Sequence, residues 1–122
     1  MVEVFFTNPS GEYAVAHPTH MHGNSHAVIG SGKIPEDVPN LNEWVKAENE
    51  AGNVQRNLVD PPLKDSVQTI PGSYILLRLE ADNPGFWFWH CHISMDAFEG
   101  QALVLKVGES GDWDIPEDTP TC

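Results

Sequence analysis

The sequence predicts an all-β domain, a sandwich or barrel of short strands with one short helix. Three observations predict it. Short runs of β-branched, aromatic and aliphatic residues recur between Gly- and Pro-rich turns. One segment alone combines helical periodicity with a start and a stop signal. The 122 residues suffice for one domain and not two, and a hydrophobic share of 40 % can build a core. The expected organisation is therefore a single domain over residues 1–122, with an acidic tail from about 108 to 122.

Taken in order, Val2 to Phe6 reads as a strand, closed by the turn signal "TNPSGE". "YAVAHPTHMHG" reads as extended, because Pro18 keeps His17 out of the helical region. "HAVIG" is a further strand and "GSGKIPEDVPN" a loop. "NLNEWVKAENEAG" is the helix. Asn40 stands as N-cap with Glu43 three residues on, Leu41, Trp44 and Val45 share an apolar face, and Gly52 fits the stop. Its expected role is to cover one end of a sheet. "NLVDPPLKD" reads as a connection, and "SVQTI", "SYILLRLEA", "GFWFWHCHI" and "QALVLKV" as strands. The tail "GESGDWDIPEDTPTC" is expected to be loosely ordered.

Charge narrows the partners. With 18 acidic and 6 basic residues the formal charge is −12, which disfavours nucleic acid and anionic membrane. It favours cations, and its plainest meaning is a solvated acidic surface. No apolar run approaches the ~20 residues of a membrane-spanning helix. The start "MVEVFFTNPSGEY" lacks the basic-then-apolar pattern of a signal peptide, so the chain is expected to be cytosolic or a piece of something longer. Cys91 and Cys122 are not expected to pair, and Cys122 is free to bond to another chain.

The six histidines fall in two segments, "HPTHMHGNSH" (His17, His20, His22, His26) and "HCH" (His90, His92). Core histidines would scatter, so this clustering points to metal. In a strand, residues two apart share a face, so His20 projects with His22 and His90 with His92. Cys91 then points to the opposite face and serves a second site, one residue away through bonds. Imidazoles with one thiolate suit copper or zinc, and a lone cysteine in an aromatic strand suits copper better than a closed structural zinc site.

"HPTHMHG" and "HCHISMDAFEGQALVL", in this order and spacing, resemble the two copper motifs of the last domain of multicopper oxidases. The stretch "NLVDPPLKDSVQTIPGSYILLRLEADNPGFWFWHCHI" is similar to that domain in laccases, most of all those of invertebrates. The resemblance spans nearly the whole chain. It implies a cupredoxin-like Greek-key β-sandwich, copper as cofactor and a secreted protein. It also implies an oxidase that passes electrons from a small substrate, such as a phenol, to dioxygen. By position, His17 and Cys91 would be type 1 copper ligands, His20 a type 2 ligand, and His22, His90 and His92 type 3 ligands.

Three departures qualify the resemblance. Asp96 stands where the family has its second type 1 histidine, and Gln101 stands at the axial position. Aspartate is a harder donor that favours the oxidised metal, so this site is expected to be altered or lost. Only sixteen residues precede His17, so the sandwich is expected to lack N-terminal strands and to leave an edge unpaired. The family's oxygen-reducing cluster takes its histidines from two domains in equal share, and this chain offers one share. A second cupredoxin domain or a homo-oligomer is therefore the expected partner. His26 reads as a packing residue and as the spare ligand if the site is remodelled, and Met21 and Met95 as packing residues. Phe86, Trp87, Phe88 and Trp89 read as strand core. Two other functions stay open: a non-catalytic copper carrier or store derived from such a domain, and an acidic secreted or matrix protein with residual metal sites.

Overall fold

The computed structural model describes residues 1–113 and 116–118. Eight strands form two four-stranded antiparallel sheets. In the first, β1 (Val2–Asn8), β6 (Ser73–Leu79), β3 (His26–Lys33) and β4 (Leu63–Lys64) lie in the order β1-β6-β3-β4. In the second, β5 (Ser66–Thr69), β2 (His17–Met21), β7 (Gly85–Cys91) and β8 (Ala102–Val107) lie in the order β5-β2-β7-β8. Two helices, α1 (Leu41–Glu50) and α2 (Ser94–Phe98), complete the described elements. The expected all-β sandwich is what the chain forms.

The run "SYILLRL" explains where the core sits. As β6 it is covered on both faces, which is why it is apolar at almost every position. Ile75, Leu77 and Leu79 face the second sheet and pack with Met21 and Trp89. Tyr74 and Leu76 face the other way and pack with Ile29, Ile34, Val45 and Val54. Val45 lies on α1, so the helix covers the outer face of the first sheet rather than one end of it. Asn40 caps α1 as expected, its side chain accepting the Asn42 and Glu43 amides at 3.1 and 3.2 Å.

Several local expectations need correction. β3 runs through Gly30–Lys33, a stretch that reads as loop by composition. There Gly32 lies flat against the Tyr74 ring, where a Cβ would approach to 2.7 Å, so the glycine serves close packing rather than a turn. The proline-rich connection contains β4, which adds Leu63 and Lys64 to the edge of β3. The helix α2 was not expected at all. It is only five residues long and has no side-chain N-cap, so it carries none of the usual sequence signals.

Strand β8 is the sparsely covered part of the molecule. Leu103 and Val104, on opposite faces, are both about half exposed. A cleft of about 360 Å³ opens between the sheets beside it, lined by Phe6, Trp89, Cys91, Gln101 and Leu103 among others. After β8 the chain turns at Glu109–Asp112, and Trp113 folds back to donate from its indole N–H to the Val107 carbonyl (3.0 Å). The rest of the acidic tail, including Cys122, largely lies outside the described residues. No helix among them is long and apolar enough to cross a membrane.

Candidate metal centres

Strands β2 and β7 lie side by side, with Thr19 opposite Cys91, His20 opposite His90 and Met21 opposite Trp89. Opposed residues share a face, so the pair has two chemically distinct sides. His20 and His90 are outward. His22 and His92 extend that side just past the strand ends, where the ladder continues through His22 N to Phe88 O (2.9 Å) and His92 N to Pro18 O (2.6 Å). Thr19, Met21, Trp89 and Cys91 are inward, and His17 joins them at the start of β2.

On the outward side four imidazoles converge. Ring centroids lie 5.0 Å apart for His20 and His22, 5.3 Å for His22 and His90, 5.5 Å for His90 and His92, and 5.8 Å for His20 and His92. The Nε2 atoms of His22 and His90 are 3.3 Å apart, aimed at the same point. Backbone contacts set the tautomers. His90 Nδ1 lies 2.8 Å from the Cys91 carbonyl oxygen, which can only accept, so Nδ1 carries the proton and Nε2 keeps its lone pair. His20 Nδ1 is held the same way by the Asp65 carbonyl at 3.1 Å, with Ser66 Oγ at 2.9 Å. Sequence reading singled out neither Asp65 nor Ser66. Their one sequence signal is a polar pair opening the strand that borders β2. The turn after His22 needs Gly23, whose φ is +64° and whose Cβ would strike the Trp87 ring at 2.1 Å.

On the inward side Asp96 Oδ2 lies 2.8 Å from His17 Nδ1 and 3.3 Å from Cys91 Sγ, and Sγ lies 3.8 Å from Nδ1. All three donor atoms lie within 4.8 Å of one another. Donors around one tetrahedral ion, with bonds of about 2.0–2.3 Å, stand roughly 3.3–3.8 Å apart, so two of the three separations match and the 2.8 Å His17–Asp96 pair would open slightly. One thiolate, one imidazole and one carboxylate are a donor set that fits copper or zinc. Burial pushes the Cys91 thiol up from its ordinary pKa, and the Asp96 hydrogen bond and charge add to this against a downward pull from the Ile93 backbone. A bound cation reverses that balance and favours the thiolate.

Asp96 is placed by structure. It sits on α2, and the segment closes on itself through Gln101 N to Asp96 O and Cys91 N to Gln101 O, both 2.9 Å. Gln101 thus adjoins the triad through its backbone and lines the cleft beside Cys91, while the residue itself is exposed.

His26 lies elsewhere. It is fully buried on β3 and stacks on Trp89 (6.0 Å, 22°), with neither ring nitrogen hydrogen-bonded. The spare-ligand position is a core position, reached from the opposite sheet. The four aromatics of β7 also divide. Trp89 is buried, but Phe86 and Phe88 are on the outward face and exposed, Phe86 against Trp113 (4.7 Å) and Phe88 stacked on His90 (4.5 Å). Met21 packs in the core, whereas Met95 is exposed.

Residues 1–111 match the family described as multicopper oxidase. Laccase-13 of Arabidopsis thaliana is 36 % identical over 112 residues, covering 87 % of this chain and 18 % of that protein. L-ascorbate oxidase of Brassica rapa subsp. pekinensis is 32 % identical over 124 residues, covering 99 % and 20 %. Among solved structures, the laccase from Botrytis aclada superposes with a TM-score of 0.58 at 30 % identity, over 84 % of this chain and 17 % of that one. The chain thus spans about a fifth or less of the length of these proteins.

Proposed function

The chain belongs to the multicopper oxidase family, and from that premise we propose that it is the last cupredoxin domain of a laccase-like copper oxidase. The observation that carries this reading is the convergence of His20, His22, His90 and His92 on one face of β2 and β7, with the Cys91 triad directly behind it. When bound by these residues, copper would supply one-electron redox chemistry. The residues themselves do the rest. His90 and His92 flank Cys91, so three consecutive residues join the two donor sets through covalent bonds. His90 Nδ1–H donates a hydrogen bond to the Cys91 carbonyl, which leaves Nε2 with its lone pair facing outward.

The outward face offers half of an oxygen-reducing cluster. It works when a second cupredoxin domain, or a second copy of this chain, brings its own histidines against it. Over one turnover, four one-electron oxidations of a small phenol or aromatic amine deliver four electrons. With four protons these reduce dioxygen to two waters. An extracellular site of action and an invertebrate-type lineage belong to the same proposal.

The test combines copper count, native mass and oxygen uptake on a phenolic substrate. The proposal expects several coppers in an assembly larger than one chain, with uptake that His20→Ala or His92→Ala abolishes. Copper bound with no oxygen uptake in the assembled protein would support a carrier instead. Unchanged copper content in both variants would mean that other residues bind it.

A further inference from the structure

Asp96 is the residue with the most consequence for chemistry in the Cys91 triad. It is not a solvated bystander, since its side chain is 18 % exposed and its Oδ2 meets both other donor atoms. The loop from Cys91 to Gln101 fixes it there at both ends. We propose that Asp96 makes this centre selective for a divalent ion, Cu(II) or Zn(II), over Cu(I), and so sets it to a low reduction potential. The inference rests on the ligand reading above.

Charge is the first reason. A thiolate and a carboxylate together carry −2. With Cu(II) the centre is neutral, and with Cu(I) it is left at −1. Were residue 96 a neutral imidazole, the same two states would be +1 and 0. Cys91 is buried, and His17 and Asp96 are each less than a quarter exposed, so water screens the difference only partly. Adding the electron is therefore harder with Asp96 in place. Donor hardness is the second reason, since a carboxylate oxygen suits the divalent ion and the soft Cu(I) prefers sulfur and imidazole. Zinc shares the divalent charge and accepts this same donor set, so it competes for the centre. A centre of low potential draws electrons only from readily oxidised donors.

The test uses the full chain, stripped of metal and reloaded with copper, beside Asp96→His and Cys91→Ser. The readouts are visible absorption and the Cu(II)/Cu(I) potential, neither of which needs turnover. Asp96→His should intensify the thiolate-to-copper band. It should also raise the potential by at least a tenfold change in the Cu(II)/Cu(I) affinity ratio, about 59 mV for one electron. Equal potentials in the two proteins would overturn the inference while leaving the ligand set intact. A thiolate band that persists in Cys91→Ser would instead overturn the ligand set itself. Competition on the unsubstituted chain keeps the test open if Asp96→His does not fold. There Zn(II) should displace Cu(I) from the Cys91 centre, and retention of Cu(I) against excess Zn(II) would refute the selectivity.

Discussion

The two sides of the β2–β7 pair are built from alternate residues of the same strands, yet they differ in kind. The outward side is a row of four like donors on the solvent-facing side, two of them, His20 and His90, anchored by backbone carbonyls. The inward side is three unlike donors, half-buried, one of them delivered by a five-residue helix from outside the strands. The contrast is that a donor placed by strand alternation needs only the right residue two positions on. A donor placed by tertiary packing can change in charge without disturbing the strand. Asp96 changes the inward centre while His90 and His92, on either side of Cys91, keep theirs.

Trp89 should break the comparison most severely, because it anchors the β2–β7 pair that carries both sides to the core. It is buried with Met21, Leu77 and Leu79, and it stacks on His26. Trp89→Ala is expected to cost about 3–5 kcal/mol in denaturant unfolding and to lower metal content on both sides together. Loss on one side alone would show that the two are not mechanically linked. Next in size, the paired substitution His20→Ala with His90→Ala should empty the outward side and leave the thiolate-to-copper band of Cys91. Its cost in metal-free stability should stay near 1 kcal/mol or less, since these rings are not core.

How legible was this arrangement in the sequence? Period-two spacing in "HPTHMH" and "WHCH" was enough to assign His20, His22, His90 and His92 to one side and Cys91 to the other, because β2 and β7 pair in register with His20 opposite His90; His17 was placed by resemblance. Glu43 three residues after Asn40 similarly marked the start of α1. What escaped was whatever depends on the second sheet or on short segments. α2 has too few residues for a periodic signal, so Asp96 could be placed by likeness alone and not by geometry. The same strand alternation that located the histidines also puts Phe86 and Phe88 outward, against the expectation that aromatic residues in a strand are core. His26 reads first as a packing residue and second as a spare ligand, the latter because it is close in sequence to His22. β3 belongs to the opposite sheet, and that takes its ring into the core.

His26 gives a finer test of the boundary between ligand and core. Burial lowers its pKa, against an upward pull from Asp65, with His20 adding a small downward pull. Lys64 is its cross-strand partner. Because the folded value lies below the unfolded one of about 6.5, the unfolded chain binds more protons in the window between them. The stability held by the neutral ring is complete above pH about 6.5 and is lost as pH falls through that window. His26→Phe should flatten this acid limb in urea midpoints between pH 7 and 5 (about the range of histidine titration) and leave copper content unchanged. Copper loss in that variant would return His26 to the ligand list.

The smallest effect lies farthest from the metal. Glu3 bridges Arg78 and Arg56 on the first sheet, and chiefly its hydrogen bond to Arg78 holds its carboxyl below the usual range. Glu3→Gln should cost about 1 kcal/mol or less. The stability it contributes is present above the unfolded carboxylate value of about 4.5 and lost as pH falls through the lower folded one. Neither metal side should respond, and a change in copper binding would mean that the first sheet transmits strain to the second.

The most direct test of the two-sided account is anomalous diffraction at the copper edge on copper-loaded crystals. The account predicts one peak within bonding distance of His17, Cys91 and Asp96, and separate density against His20, His22, His90 and His92. A single peak shared by both sets, or density on the outward side with none at Cys91, would contradict it.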